Sequence, residues 1–161
     1  MGEIIRESDI FHLLDSVSDP ELPVLSILDL GIVRSVDRIT MENGEGRWRI
    51  VVTPTYSGCP AMDMISMQIR MTLYGAGITD FEIVTRLSPA WTTDWMTESG
   101  KAKLKAYGIA PPHHSGVQTP VECPHCGSSH TQCLSEFGST ACKALYRCED
   151  CREPFDHFKC H

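Results

Sequence analysis

Two pairs of closely spaced cysteines lie near the C-terminal end of the chain. The pairs are Cys123 with Cys126 and Cys148 with Cys151, and 21 residues separate them. Two residues between cysteines allow a tight turn to direct both thiolates at one ion, and two such turns complete a tetrahedron. So short a segment also needs a metal ion or disulfides in order to fold. The spacing therefore predicts one structural Zn²⁺ bound by these four cysteines, with a β-hairpin between the pairs, as in a zinc ribbon.

Two other interpretations of the four cysteines stay open at this point. Iron fits the same four-sulfur cage, as in rubredoxin, because this geometry suits either metal. Alternatively, each pair is a redox-active or disulfide-forming motif. The N-terminus is charged and lacks the apolar run of a signal peptide, which predicts a cytoplasmic protein. Thiols stay reduced in the cytoplasm, and reduced thiols favour the metal site.

A single cysteine, Cys59, occurs in the first 120 residues, within the stretch TPTYSGCPAMDM. Proline is favoured at the first position of a helix, so Pro60 predicts a helix start with Cys59 at or near its N-cap. Free N–H groups and the helix dipole favour a thiolate there. A buried cysteine beside a turn is the structural alternative, and these residues alone leave both interpretations open.

An acidic loop precedes the first predicted strand, in the segment SDPELPVLSILDLG. It contains Asp19, Glu21 and Asp29. Such residues commonly cap turns and helices. If a carboxylate of this loop lies close to Cys59, it is instead a hard ligand or a partner of the thiol.

The elements that position Cys59 follow from hydrophobic periodicity. Helices are predicted over residues 3–17, 60–75 and 92–108, and strands over 31–40, 47–55 and 81–87. The ENGEG segment predicts a hairpin turn between the first two strands. The order α-β-β-α-β-α needs both antiparallel and parallel pairing, so we predict an α+β fold: a small mixed sheet packed with helices, followed by the C-terminal zinc ribbon. On the helix after Cys59, Met64, Met67 and Met71 form a stripe that we interpret as adaptable core rather than as a partner groove.

Composition sets the domain boundaries and excludes two classes of partner. Residues 109–120 contain three prolines and no charged residue, which predicts a linker between a domain at 1–108 and the zinc ribbon at 121–161. Residues 1–120 carry 10 basic and 15 acidic side chains, and residues 121–161 carry 4 and 6. This acidic balance argues against nucleic-acid and anionic membrane surfaces. No apolar run is long enough to span a bilayer.

The segments around the acidic loop and Cys59 resemble a known family. DPELPVLSILDLGIV together with TPTYSGCPAMDM is similar to the two hallmark blocks of the SufT-like iron–sulfur assembly factors, with no departure in either block. The segments RLSPAWTTDWMTESGKAKLKAYGIAPP, CPHCGS and EPFDHFKC extend the match to the PaaD family of bacterial phenylacetate degradation, essentially end to end. The resemblance implies a non-catalytic accessory factor that helps to mature an iron–sulfur or iron centre of phenylacetyl-CoA epoxidase.

The resemblance also implies roles for particular residues. Cys59 takes the position of the functional thiol, and Asp19, Glu21, Asp29 and Gly31 fall in the signature loop. The implied partners are subunits of the epoxidase, above all its ferredoxin-type reductase, and the iron–sulfur assembly machinery.

A transient cluster at one thiol must share its ligation, because a [2Fe–2S] centre needs four ligands. The others would come from a second copy in a homodimer, from Cys142 or Cys160, from the acidic loop, or from the client. We expect at least one of Cys142 and Cys160 to face the N-terminal domain, with idle thiols as the alternative for both and for Cys133. Most histidines of the tail are expected to be solvent-exposed. The alternative function is a rubredoxin-like electron-transfer or catalytic subunit of the oxygenase, although no acid–base constellation or nucleotide loop points to an independent enzyme.

Overall fold

The computed structural model describes residues 4–113 and 119–159. The chain divides into two compact units, Met1–Trp91 and Thr92–His161. The first unit contains α1 (Glu7–Leu14), β1 (Val33–Thr40), β2 (Gly46–Val52), α2 (Ala61–Gly75) and β3 (Phe81–Thr85). The second contains a 3₁₀ turn (Thr93–Trp95), α3 (Glu98–Ala106), β4 (Ile109–Ala110), β5 (Thr131–Ser135), β6 (Lys143–Cys148) and β7 (Pro154–Phe158). Within the described residues, no helix is long and apolar enough to cross a bilayer.

The sheet of the first unit has the order β1-β2-β3. β1 and β2 are antiparallel, with Val36 opposite Ile50, and β3 runs parallel to β2, with Ile83 opposite Ile50. The predicted hairpin turn is present, because the N–H of Met41 donates to the carbonyl oxygen of Glu45 at 2.8 Å. A parallel pair needs a crossover connection, and α2 supplies it. The predicted α+β class with a mixed sheet is thus confirmed.

The core of the first unit lies between this sheet and its helices. Ile65, Ile69 and Leu73 of α2 are fully buried, and so are Ile50 and Val52 of β2. Their spacing of four residues on the helix and two on the strand is that of one buried face in each element. Each such aliphatic side chain contributes about 1.5–3 kcal/mol when it leaves water.

The methionines of α2 do not belong to this core, and our interpretation of them was wrong. Met64, Met67 and Met71 are 52%, 61% and 68% exposed. The buried stripe of α2 is already filled by Ala61 and the three aliphatic residues that follow it at four-residue intervals. Met64 is adjacent to Ile65 in the chain, which places it about 100° around the helix axis and outside the stripe.

The predicted last helix is interrupted. Its first part is the 3₁₀ turn, and α3 then begins anew because the Thr97 side chain accepts a hydrogen bond of 2.9 Å from the N–H of Gly100. Met96 has an extended backbone, with ψ 141°, and it separates the two pieces. A threonine whose side chain accepts a hydrogen bond from the N–H three positions later is an N-cap, and it marks the start of a new helix.

The sheet of the second unit has the order β4-β7-β6-β5. β5, β6 and β7 pair antiparallel, and β4 pairs parallel to β7, with Ala110 opposite His157. β4 therefore lies inside the stretch that composition marks as a linker, and α3 groups with the second unit although the predicted boundary follows it. Ile109 and Ala110 are buried, so this apolar pair gains more from joining the sheet than from remaining in a solvated connection.

Candidate functional site

The four paired cysteines form a compact sulfur cluster in the second unit. All four Sγ atoms lie within 4.8 Å of one another. The Sγ atoms of Cys123 and Cys151 are 3.7 Å apart, and those of Cys126 and Cys148 are 3.5 Å apart. Four sulfurs that are each about 2.3 Å from a central ion stand about 3.8 Å apart at tetrahedral angles. The donor set and its spacing therefore fit one Zn²⁺ or iron ion in a closed site.

Both cysteine pairs adopt the same backbone turn. The N–H of Cys123 and that of Cys148 each donate to the carbonyl oxygen five positions later, at 2.9 and 3.0 Å. The residue after each pair has a left-handed backbone, with φ 77° at Gly127 and φ 65° at Arg152. Glycine adopts this conformation without strain, whereas a residue with a Cβ adopts it at a cost. The two turns thus share one shape although only one of them has glycine at the strained position.

Side chains join the two turns beside the sulfur cluster. The hydroxyl of Ser128 donates to the carboxylate of Asp150, and the Nδ1 of His130 lies 3.4 Å from that carboxylate. These contacts, chiefly the one from Ser128, hold the pKa of Asp150 below its ordinary value. Hydrogen bonding by the backbone of Cys151 lowers the pKa of the Cys148 thiol to about 7. Metal ligation requires thiolates, so an ion bound by the four sulfurs would hold all four cysteines deprotonated.

A small apolar core supports the sulfur cluster. Cys123 and Cys148 are buried together with Ala110 and Phe155, and Tyr146 packs against them. Metal binding supplies folding energy where the apolar core is this small.

His157 differs from the other described histidines of the tail. His125 and His130 are exposed, as expected. His157 is buried, and its Nδ1 lies 3.3 Å from the carbonyl oxygen of Ala110. A carbonyl oxygen can only accept, so Nδ1 carries the proton. The expectation was for most tail histidines, and His157 is the buried one among those described because β4 pairs with this part of β7.

The remaining tail cysteines differ in exposure. Cys142 is buried, and its Sγ lies 3.0 Å from the Oγ1 of Thr140. Cys133 is exposed on β5. Cys160 lies outside the described residues. Neither Cys142 nor Cys133 belongs to the four-sulfur cluster of the described residues.

Cys59 lies in the first unit, immediately before α2. Pro60 is the N-cap and the helix begins at Ala61, so Cys59 precedes the cap instead of occupying it. The proline ring fixes φ at about −65°, and Pro60 has helical backbone angles, φ −68° and ψ −20°, directly before Ala61. The thiol is half-buried. Among the described residues no N–H donates to its sulfur, and the expected N-cap contact is therefore not made.

The acidic loop is organised by its own carboxylates. Asp19 Oδ1 accepts hydrogen bonds from the N–H groups of Glu21 and Leu22, at 2.7 and 2.8 Å. Asp29 Oδ2 accepts from the N–H of Ser26 at 3.1 Å, and Ser26 Oγ accepts from the N–H of Asp29 at the same distance. Both aspartates are buried, and Glu21 is half-buried. These contacts are those of turn caps, the first of the two interpretations that the sequence allowed.

Three segments of the first unit leave its sheet at the same end. The N–H of Thr53, after β2, donates to the carbonyl oxygen of Ile32, before β1, at 2.9 Å. The N–H of Arg86, after β3, donates to a carbonyl oxygen of β2 at 2.9 Å. The acidic loop, which ends at Gly31 with φ 71°, therefore emerges beside the segment that leads to Cys59.

Trp91 belongs to this arrangement, and sequence reasoning assigned it no role. Its Nε1 donates to the carbonyl oxygen of Leu30 in the acidic loop, at 2.8 Å, and its side chain is buried. In the sequence, the feature that could have indicated a role for Trp91 is a large aromatic residue between a predicted strand and a predicted helix. Its acceptor is a backbone atom 61 positions earlier, which no local pattern indicates.

Comparison with known proteins places both halves of the chain. Residues 7–78 match the family described as iron–sulfur cluster assembly protein, and residues 109–159 match the PaaD zinc beta ribbon domain. Over 156 residues the chain is 53% identical to a protein of Escherichia coli (strain K12) that is named as a component of 1,2-phenylacetyl-CoA epoxidase. The match covers 94% of this chain and 92% of that protein. The chain belongs to the PaaD family.

The N-terminal half of this PaaD-family chain has relatives of its own. It is 33% identical to an Fe–S protein maturation auxiliary factor of Porphyromonas gingivalis (strain ATCC BAA-308 / W83), over 61% of this chain and 90% of that protein. A crystal structure of a domain of unknown function from Bacillus anthracis superposes with a TM-score of 0.52 and 28% identity. The superposition covers 61% of this chain and 90% of the Bacillus anthracis domain. The homology confirms the predicted family and supports an accessory role in iron–sulfur assembly.

Proposed function

We propose that this PaaD-family chain is a non-catalytic maturation factor for phenylacetyl-CoA epoxidase. It receives iron–sulfur cargo from the assembly machinery, holds it through Cys59 and passes it to a component of the epoxidase, with the ferredoxin-type reductase as the expected recipient. The names of two relatives, an epoxidase component and an Fe–S maturation factor, support the two parts of this proposal.

The contrast between the two thiol sites carries the proposal. Cys123, Cys126, Cys148 and Cys151 offer four sulfurs to one ion, and such a closed cage retains its metal. Cys59 offers one half-buried sulfur. Incomplete ligation suits a factor that must release its cargo, because the client can supply the missing ligands.

The acidic loop has a positioning role in this proposal. Asp19 and Asp29 hold backbone N–H groups within the loop, and their geometry is that of turn caps. The loop and Trp91 together shape the surroundings of the segment that leads to Cys59. We therefore assign the remaining cluster ligands to the client and not to these two carboxylates.

We propose Zn²⁺ for the four-cysteine site, in a structural role. Its ion orders the small sheet of the second unit, which has few apolar residues of its own. A rubredoxin-like electron-transfer role is the competing function, and it requires iron in this cage. A visible spectrum together with metal analysis distinguishes the two, because Zn²⁺ is colourless and iron bound by four thiolates is not.

The test is co-expression of the epoxidase subunits with wild-type chain or with Cys59→Ser. Serine preserves the size of the side chain, so we expect unchanged folding and unchanged metal content in the second unit. We expect an assembled epoxidase whose reductase lacks iron and sulfide. Cys133→Ser is the matched control, because Cys133 is exposed and outside the cluster, and it should support full loading.

Full iron and sulfide loading of the reductase by Cys59→Ser would refute the role of Cys59. The Cys142→Ser and Cys160→Ser variants, alone and together, test the proposed contribution of the additional thiols in the same assay. If both variants support normal loading, these cysteines are idle.

A further inference from the structure

The chain contains a single asparagine, Asn43, and a glycine follows it at the tip of the hairpin between β1 and β2. The N–H of Gly44 donates to the carbonyl oxygen of Met41 at 2.9 Å, and Gly44 has φ 83°. Together with the bond from the N–H of Met41 to the carbonyl oxygen of Glu45, this is a three-residue hairpin loop that ends in a left-handed glycine. Asn43 and Gly44 are both exposed, so solvent reaches them.

An asparagine that precedes a glycine loses its side-chain amide without an enzyme. The backbone nitrogen of Gly44 attacks Cγ of Asn43, so that a new C–N bond forms and the bond from Cγ to Nδ2 breaks. The proton of the Gly44 N–H leaves with the amide as ammonia, and a cyclic imide remains. Water then opens the imide at Cγ to give aspartate, or at the backbone carbonyl carbon to give isoaspartate. The reaction consumes water and releases ammonia, so it needs no oxidant or reductant.

Gly44 leaves the path of this attack open. A Cβ built on Gly44 would meet no atom of a neighbouring segment within 4 Å, so nothing crowds the ring that must form. A side chain on the attacking residue would itself hinder the approach of the nitrogen, and glycine has none. Chemistry and space therefore both favour reaction at Asn43.

The closed turn holds both reacting groups in hydrogen bonds. The attacking group, the N–H of Gly44, is donated to Met41. The leaving group, Asn43 Nδ2, donates to Glu45 Oε2 at 2.8 Å, and Asn43 Oδ1 accepts from the N–H of Glu45 at 3.1 Å, as in an Asx turn. The reaction therefore waits for the turn to open. Exposed loops open at a low free-energy cost, so the native protein samples the open turn.

We propose that Asn43 is a site of spontaneous deamidation, that opening of its turn sets the rate, and that the product loosens the β1–β2 hairpin. In the aspartate product an oxygen replaces Nδ2, so a carboxylate faces Glu45 Oε2 where a donor was, and the like charges repel. In the isoaspartate product the main chain is longer by a carbon atom, which displaces the groups that close the loop. The reaction needs only water and does not depend on the proposed maturation function.

Peptide mapping by mass spectrometry tests the proposal on the full chain. Trypsin releases residues 39–47, which include Asn43, and chromatography separates the asparagine, aspartate and isoaspartate forms of this peptide. During incubation of the native chain at neutral pH both products should accumulate, and they should accumulate faster when the chain is unfolded in urea. Asn43→Gln should give no isoaspartate in this peptide. No second asparagine competes, and no aspartate of the chain precedes a glycine.

Two matched substitutions in the same loop test what sets the rate. Glu45→Ala removes the acceptor of Asn43 Nδ2 and should speed deamidation about fivefold, the factor that corresponds to one net hydrogen bond. Glu42→Ala removes an equal charge, but both side-chain bonds of Asn43 go to Glu45, so its rate should stay close to that of wild type. A native chain that stays unconverted while the unfolded chain converts overturns the proposal. Equal rates for the two variants also overturn it, because the turn would then not set the rate.

Hydrogen exchange tests whether the product loosens the hairpin. In Asn43→Asp, the amide of Met41, which donates to Glu45 across the loop, should exchange about fivefold faster than in wild type. A second substitution, Glu45→Gln, should restore the protection, because the new amide donates to the new carboxylate. The amides of α2 should exchange alike in all three proteins. Unchanged exchange of Met41 in Asn43→Asp, or no recovery in the double variant, would show that the product leaves the hairpin intact.

Discussion

The indole Nε1 of Trp91 donates a buried hydrogen bond of 2.8 Å to the carbonyl oxygen of Leu30. This contact joins the segment after β3 to the acidic loop before β1. Both segments leave the sheet at the end where the chain also runs towards Cys59. A single side-chain donor thus connects two of the three segments that leave the sheet at this end.

Replacement of Trp91 by phenylalanine should destabilise the first unit by more than its loss of volume explains. The substitution removes the donor and leaves a buried carbonyl, at an expected cost of about 1–3 kcal/mol. Trp48→Phe is the matched control, since Trp48 is also buried and its Nε1 has no hydrogen-bond partner among the described residues. Urea unfolding of both variants measures the difference. Equal losses of unfolding free energy would show that the Trp91 bond contributes nothing.

Removal of one cluster sulfur should unfold the second unit alone. We expect Cys148→Ser to lose the bound metal and the hydrogen-exchange protection of β6 and β7, because metal binding is folding energy here. The amides of α2 and β2 should keep their protection. Cys133→Ser, which changes a thiol outside the cluster, should retain one metal ion per chain. Retention of that stoichiometry by Cys148→Ser would contradict the assignment of the ligand.

Arg152 and Gly127 occupy the same left-handed position in the two cysteine turns. Substitutions at these two positions should change the stability of the second unit in opposite directions. Arg152→Gly relieves a strained backbone and should raise the stability of the metal-bound second unit by about 0.5–1 kcal/mol. Gly127→Ala should lower it by about 1 kcal/mol, and a Cβ there would meet no atom within 4 Å, so the effect is one of backbone alone. Thermal unfolding of both variants with bound metal measures these shifts. Shifts of the same sign would rule out the shared turn geometry as their cause.

The buried His157 should make the second unit less stable in acid. Burial lowers the pKa of His157 below its ordinary value of 6.5. The native state then binds this proton less readily than the unfolded state does, so stability decreases as the pH falls through 6.5 towards the native pKa. His157→Gln should have a smaller slope of unfolding free energy against pH between about pH 7 and about pH 5. Cysteine protonation affects the wild-type chain and the His157→Gln variant alike. Identical slopes for the two would show that His157 does not contribute to the pH dependence of stability.

Local signals predicted much of this structure. Cysteine spacing predicted a cluster of four sulfurs because each turn is set by a few adjacent residues. Helical periodicity predicted a helix over residues 60–75, since a helix repeats every 3.6 residues, and α2 spans Ala61–Gly75. The mixed sheet followed from the order of the elements.

What local signals could not predict depends on contacts between distant segments. Both apolar stripes of α2 have helical spacing, and only the packing of the whole unit decides that the aliphatic one is buried and Met64, Met67 and Met71 are not. Likewise, the pairing of Ala110 with His157 joins residues 47 positions apart. Residues 109–120 contain three prolines, and this composition predicted a linker. The two apolar residues that form β4, Ile109 and Ala110, were too few to indicate a strand.

The strand β4 bears on how this metal-binding region can be cut from the chain and moved into another. A fragment that begins at residue 121 keeps all four cluster cysteines but leaves β7 as an open edge beside Phe155 and Phe158, both buried in the intact chain. Unpaired edges recruit strands from neighbouring molecules. A fragment that folds independently should therefore begin before Ile109 and include β4. The second unit begins at Thr92, so a fragment that starts there keeps the whole unit.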